Sequence, residues 1–224
     1  MRNYLLLFII GLTTTLQAQI MLPAYQAVHY KNSGIVLPSV TIGTQIWMAK
    51  NLDVTTYRDG TPIPQVTDPN AWANLTTGAW CYYNNASANG LIYGKLYNWY
   101  AVNDPRGLAP VGWHIPSHAE WNTLSNFLGG SSVAGGFMKE TGTFHWRSPN
   151  TAATNSSGFT ALPAGFLDSG GASFLTINDN ANWWSTTEVS IAGAYYRYMN
   201  YTNNTLYVNG VNKKQGNSVR CVKD

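Results

Sequence analysis

Pro116-Ser117-His118-Ala119-Glu120-Trp121, running on to Gly129-Gly130, carries the clearest helix signature in the chain. Ser117 with Glu120 three positions later forms a capping box, in which each side chain accepts from a free backbone N–H at the helix start. Trp121, Leu124 and Leu128 then share one face, and the glycine pair ends the helix. Upstream, Tyr93–Val102 reads as a second helix with Leu96, Tyr97 and Tyr100 on one side, stopped by Asn103-Asp104-Pro105. Ser132–Lys139 reads as a third. Nearer the N-terminus, Val40-Thr41-Ile42 and Gln45-Ile46-Trp47 flank Gly43-Thr44 as a hairpin. Downstream, Ala194–Tyr201, Thr205–Val208 and Ser218–Val222 read as a three-stranded antiparallel meander. Helices early and a sheet late predict one α+β domain with many loops, over residues 39–223.

Of the 224 residues, 45% are apolar and only 10% charged, against roughly 25% charged in an average soluble protein. The surface is therefore polar through Asn, Thr, Ser, Gly and Tyr, as is common outside the cell. Net charge is +3 with no basic run denser than Lys213-Lys214, so the clustered cations that nucleic-acid binding requires are missing. Met1-Arg2-Asn3-Tyr4, then the apolar Leu5–Leu12, then Thr13–Gln19 read as a secretory signal peptide, with cleavage expected after Ala18. No Cys lies near the cut, so a lipid anchor is not expected, and no later run is long enough to span a bilayer. The expected destination is outside the cell, on its surface or in the periplasm, without membrane insertion after cleavage. Residues 19–38, with Pro23, Gly34 and Pro38, read as a linker.

Few constellations of reactive residues are visible. His114 and His118 are four apart, but Pro116 between them removes the shared helical face that a metal pair needs; His114 reads as a buried, hydrogen-bonded residue. Phosphate-binding Gly loops and a Gly-x-Ser-x-Gly elbow are missing. The acids Glu120, Glu140, Asp168, Asp179 and Glu188 are scattered, and Asp68-Pro69-Asn70 reads as a turn. No cofactor is expected; a structural calcium could use carbonyls around Asn178-Asp179-Asn180. Cys81 and Cys221 could form one disulfide in an oxidising compartment, or remain two buried thiols.

Aromatic residues dominate, with 9 Trp and 14 Tyr. Trp183-Trp184 lies among Asn178, Asp179, Asn180 and Asn182, and Tyr195-Tyr196-Arg197-Tyr198 follows. Flat rings stack on the C–H faces of sugars while amides, carboxylates and guanidinium groups bond hydroxyls. The candidate ligand-binding residues are accordingly Asp179, Asn182, Trp183, Trp184, Tyr196 and Arg197, set against the competing reading that these rings are core. Neighbours on a strand point to opposite faces, so at most one of the two tryptophans is expected to be core.

Several phrases in order resemble one family: Thr41–Leu52, Tyr57-Arg58-Asp59-Gly60, Trp80-Cys81-Tyr82-Tyr83-Asn84, Tyr93–Val102, Gly112-Trp113-His114-Ile115-Pro116-Ser117, Gly158–Gly165, Trp183–Glu188 and Ser218–Val222. Together they are similar to the Fibrobacter succinogenes major paralogous domain, met in exported proteins of Bacteroidetes and Fibrobacteres. More distantly, His114–Trp121 and Arg220-Cys221-Val222 resemble formylglycine-generating-enzyme-like domains. That resemblance implies a C-type-lectin-like fold of the sulfatase-modifying-factor type, with two main helices, short antiparallel strands and long loops. Such enzymes use a Cys pair upstream of the final Arg-Cys segment, and Tyr195–Ser218 contains none, so that chemistry is not expected. The reading is a non-catalytic recognition module for a polysaccharide or a surface protein. Its rivals are a polysaccharide-modifying enzyme and a structural surface protein.

Overall fold

Gly43-Thr44 turns the chain between β1 (Ser39–Ile42) and β2 (Gln45–Met48), with Gly43 at φ 62°, the left-handed region that glycine enters without strain. The structure, a computed structural model, describes residues 37–224. The expected signal peptide and all of the linker except 37 and 38 lie outside the described residues. After β2 come α1 (Pro69–Ala73), β3 (Trp80–Cys81), α2 (Ser87–Tyr93), β4 (Leu96–Tyr97) and α3 (Trp99–Val102). Next are β5 (Trp113–His114), α4 (His118–Phe127), α5 (Ser131–Met138), β6 (Phe166–Leu167) and β7 (Phe174–Leu175). The chain ends its fold with β8 (Asn180–Ser190), β9 (Gly193–Asn200), β10 (Tyr207–Asn212) and β11 (Val222–Lys223). This is an α+β arrangement of short antiparallel sheets and few helices.

The helix at Ser117 begins as its capping box requires: Ser117 Oγ accepts from the Glu120 N–H at 3.3 Å, and Glu120 Oε2 accepts from the Ser117 N–H at 2.8 Å. Three other readings are corrected. Tyr93–Val102 is not one helix. Gly94 at φ 75° ends α2, Leu96-Tyr97 pairs with Trp80-Cys81, and Asn98 starts α3 by accepting from the Ala101 N–H at 3.1 Å. A glycine and an Asn cap thus divide what its apolar spacing made continuous. Asp68-Pro69-Asn70 is a helix start, with Asp68 capping α1 and Pro69 in its first turn. The meander has different members: β10-β9-β8 form the three-stranded sheet, while β11 leaves it to lie between β2 and β5 in the sheet β1-β2-β11-β5.

Strand β8 contributes to both of the larger core clusters. Trp183 and Trp184 do point to opposite faces, but each face is covered, so both are fully buried. Trp183 packs with Trp47, Trp121 and Phe159, ring centres 5.5 Å from Phe159 and 6.1 Å from Trp121. Trp184 joins Tyr97, Trp99 and Val219 on the other side. Each indole N–H is spent internally, Trp183 on Asn51 Oδ1 at 2.8 Å and Trp184 on the Tyr97 carbonyl at 2.7 Å.

A charge clamp ties the sheet β1-β2-β11-β5 to α4. His114 Nε2 lies 2.6 Å from Glu120 Oε1 and its Nδ1 lies 2.7 Å from Asp224 Oδ1. Only an imidazolium has a donor for both carboxylates. Burial opposes that charge, but the two carboxylates outweigh it and raise the His114 pKa above its ordinary 6.5. A raised folded pKa contributes stability that is fully present below the unfolded value and is lost as pH rises through the folded one. His114→Gln is therefore expected to destabilise the domain in mildly acidic buffer, with the gap to wild type closing above neutrality. The effect is modest because 40% of the side chain is exposed; urea melts across that range measure it.

Candidate functional site

The residues singled out in the sequence do not converge on an open surface. Besides the two buried tryptophans, Asn182 is buried and donates through Nδ2 to the Gly165 carbonyl at 3.2 Å. Arg197 lies opposite Trp183 on β9, buried, with Nη2 on Asn122 Oδ1 at 2.6 Å; desolvation lowers its pKa. Asp179 is half-buried and ion-paired with Arg147 Nε at 2.9 Å. Tyr196 remains, half-buried. The expectation that at most one of the two tryptophans is core fails because β8 is covered on both faces, and a strand's own alternation cannot report how many of its faces are covered.

The cysteines are two separate buried thiols and form no disulfide. Cys81 sits with Trp72, Tyr83 and Leu167, and Cys221 with the Trp184 cluster. Burial raises both pKa values, that of Cys221 to about 12, so neither is a thiolate nucleophile near neutrality. Around the conceived calcium loop, Asn178 Nδ2 donates to the His145 carbonyl at 2.6 Å and Asp179 faces Arg147. Among the described residues no group of three His, Cys, Asp or Glu is placed to hold a metal ion. Glu188 is ion-paired with Lys213 Nζ at 2.8 Å.

What the register does assemble is a row of tyrosines. Tyr196 and Tyr198 are two apart on β9 and share a face; Tyr198 pairs across to Tyr207 on β10, and Tyr196 to Asn209. The ring centres of Tyr196 and Tyr198 are 5.5 Å apart at 22°, those of Tyr198 and Tyr207 4.7 Å apart at 12°. All three are half-buried. Among the described residues β10 is the edge of its sheet, with no strand beyond Tyr207. Asn203 Nδ2 donates to the Tyr207 hydroxyl at 3.0 Å, fixing that ring. Desolvation first, and then the neighbouring phenol, raises the pKa of Tyr196 and of Tyr198, so both hydroxyls stay neutral donor-acceptors. The spacing of Tyr196 and Tyr198 is visible in the sequence; Tyr207 is added only by the β9–β10 pairing.

The model of the Fibrobacter succinogenes major domain matches residues 40–223. The chain belongs to that family. No curated protein and no solved structure matches the chain. The match runs from β1 to β11, so it takes in every element that positions the tyrosine row. In this Fibrobacter succinogenes major domain the motif residues are largely interior: Trp47, Tyr97, Trp121, Trp183, Trp184 and Arg220 are all fully buried. The motifs that make the family recognisable are the residues that pack it, whereas Tyr198 and Tyr207 lie outside them.

Proposed function

We propose that this domain is an exported, non-catalytic recognition module that binds a glycan, with Tyr196, Tyr198 and Tyr207 as its principal contact. The observation that carries the reading is the stacked, half-buried row itself. The row runs from Tyr196, packed against the Trp184 cluster, along the central strand β9 to Tyr198 and across to Tyr207 on the edge strand β10, beside Asn203 and Asn209. Rings supply apolar contact for sugar C–H groups, and phenols and amides supply hydrogen bonds without a charge to desolvate. The short sheets and the α4–α5 pair support a C-type-lectin-like scaffold of the sulfatase-modifying-factor type. Non-catalytic function is supported by two thiols that are buried and by Asp179 and Glu188, both engaged in ion pairs. Export rests on the signal peptide read at residues 1–18.

The test is a panel of soluble plant and bacterial polysaccharides titrated by calorimetry, since the tryptophans are mostly interior reporters. Tyr198→Ala removes the central ring of the row and with it one ring contact to a ligand, of the order of 0.5–1.5 kcal/mol by analogy with aromatic pairs, and is expected to weaken binding about five- to tenfold with the fold intact. A panel in which no polysaccharide binds removes the glycan reading.

A further inference from the structure

A concavity that shares no residue with the tyrosine row is built from five separated segments. It has a volume of about 160 Å³ and is lined by the stretch after β2, the end of α2, Glu140, the loop at Thr160 and the buried Arg220. From these features we infer that this cleft is a binding site for a single uncharged sugar ring. The inference rests on the carbohydrate reading above but not on the tyrosine row.

The walls are held in place at a cost. Thr160 has φ 53°, a left-handed conformation that is a true outlier for a β-branched residue. Asn155 holds it there, accepting from the Thr160 N–H at 2.8 Å and donating to its Oγ1 at 3.0 Å. Across the cleft, a Cβ on Gly94 would come within 2.9 Å of the Leu52 carbonyl, so the wall excludes a side chain at that point.

The polar groups define the ligand. Asp53 is neutralised from behind by Lys95, and Glu140 is faced by His145 Nδ1 at 2.8 Å. Each carboxylate is thus oriented yet keeps acceptor capacity. Lys50 is exposed and makes no ion pair among the described residues. Arg220 contributes charge but its donors are committed to Asn51, Met48 and Phe159. Charges of both signs leave no strong field to select an ion. Carboxylate acceptors and an unpaired three-donor ammonium in one lining suit a molecule that both donates and accepts through neutral groups, which is a polyol. Leu91 and Ile92 line the same cleft and are 61% and 47% exposed, giving apolar surface for the C–H face of a ring. The volume is well below the roughly 300–1,000 Å³ of pockets that take a drug-sized molecule, so one ring enters and the rest of a chain stays outside.

The test is amide-resolved NMR titration of the whole domain with neutral hexoses and their methyl glycosides, alongside a uronic acid and an amino sugar. A neutral sugar is expected to shift amides at 50–53, 90–94 and 160 saturably. Glu140→Gln should weaken that binding about tenfold, and Lys50→Ala, at an exposed side chain that leaves the fold untouched, several-fold. Polysaccharide binding through the tyrosines should survive both. If no neutral sugar moves these amides, if only the charged sugars do, or if Lys50→Ala and a folded Glu140→Gln both bind like wild type, the inference is overturned. Should that happen while Tyr198→Ala still weakens polysaccharide binding, the cleft alone is lost. If no polysaccharide binds and no sugar enters the cleft, both readings fall.

Discussion

Arg220→Met is expected to lower the stability of the domain by about 3 kcal/mol or more. The guanidinium is fully buried and makes no ion pair among the described residues. Its Nη1 donates to the Met48 carbonyl at 3.0 Å and the Phe159 carbonyl at 2.7 Å, while Nε and Nη2 both donate to Asn51 Oδ1, at 3.1 and 2.9 Å. Its plane lies 4.3 Å from the Phe159 ring centre. These bonds tie the stretch after β2, the Phe159 loop and the last segment of the chain into one unit. Methionine matches much of the volume and removes the desolvated charge, which favours the variant. It also leaves two buried carbonyls with no donor, each costing about 1–3 kcal/mol, and the orphaned acceptors win. Arg220→Lys keeps the charge but not the fork, and a single ammonium cannot reach all three acceptors, so it should recover little. Urea unfolding followed by tryptophan fluorescence measures both. An Arg220→Met variant as stable as wild type would show that the network contributes nothing.

Lys139 is another buried cation with no acid partner among the described residues. It is fully buried, and its ammonium donates to the carbonyls of Thr151 at 2.8 Å, Asn203 at 2.8 Å and Asn200 at 3.2 Å, with Trp146 beneath it at 5.5 Å. Desolvation lowers its pKa from 10.5 to about 8. Between those values the unfolded chain holds a proton that the folded one has released, so stability rises with pH across that window. The gain is at most about 3 kcal/mol, reduced by the three carbonyls, which favour the ammonium. Lys139→Met is expected to abolish the rise and, near neutrality, to destabilise by about 2 kcal/mol through its orphaned carbonyls. The buried thiols of Cys81 and Cys221 act in the opposite sense from about pH 9 and Tyr57, raised to about 12, does so above pH 10, because the unfolded thiols and phenol ionise first; the Lys139 contribution is therefore read between pH 8 and 10 as the difference between wild type and Lys139→Met, in which those contributions cancel. A difference that does not change with pH across that window would remove the assigned titration.

The fold was partly legible for a definable reason. The Ser117–Glu120 box and the Gly43-Thr44 hairpin are decided by residues within a few positions of each other, and both form where expected. Tyr93–Val102 misled because its apolar spacing fits a helix while Gly94 and Asn98 cap two shorter ones. Trp183 and Trp184 misled in the other direction: their alternation was read correctly, and the covering of both faces was invisible in it.

What the residues dictated by themselves is the family, the α+β class, the start of α4 and the aromatic interior, because caps, turns and composition act locally or in sum. Tertiary structure alone decided that β11 leaves the meander, that His114 bridges Glu120 and Asp224, that Tyr207 completes the row, and that five distant segments enclose the cleft. Each of these depends on which surfaces meet across long stretches of chain, and no local preference encodes that.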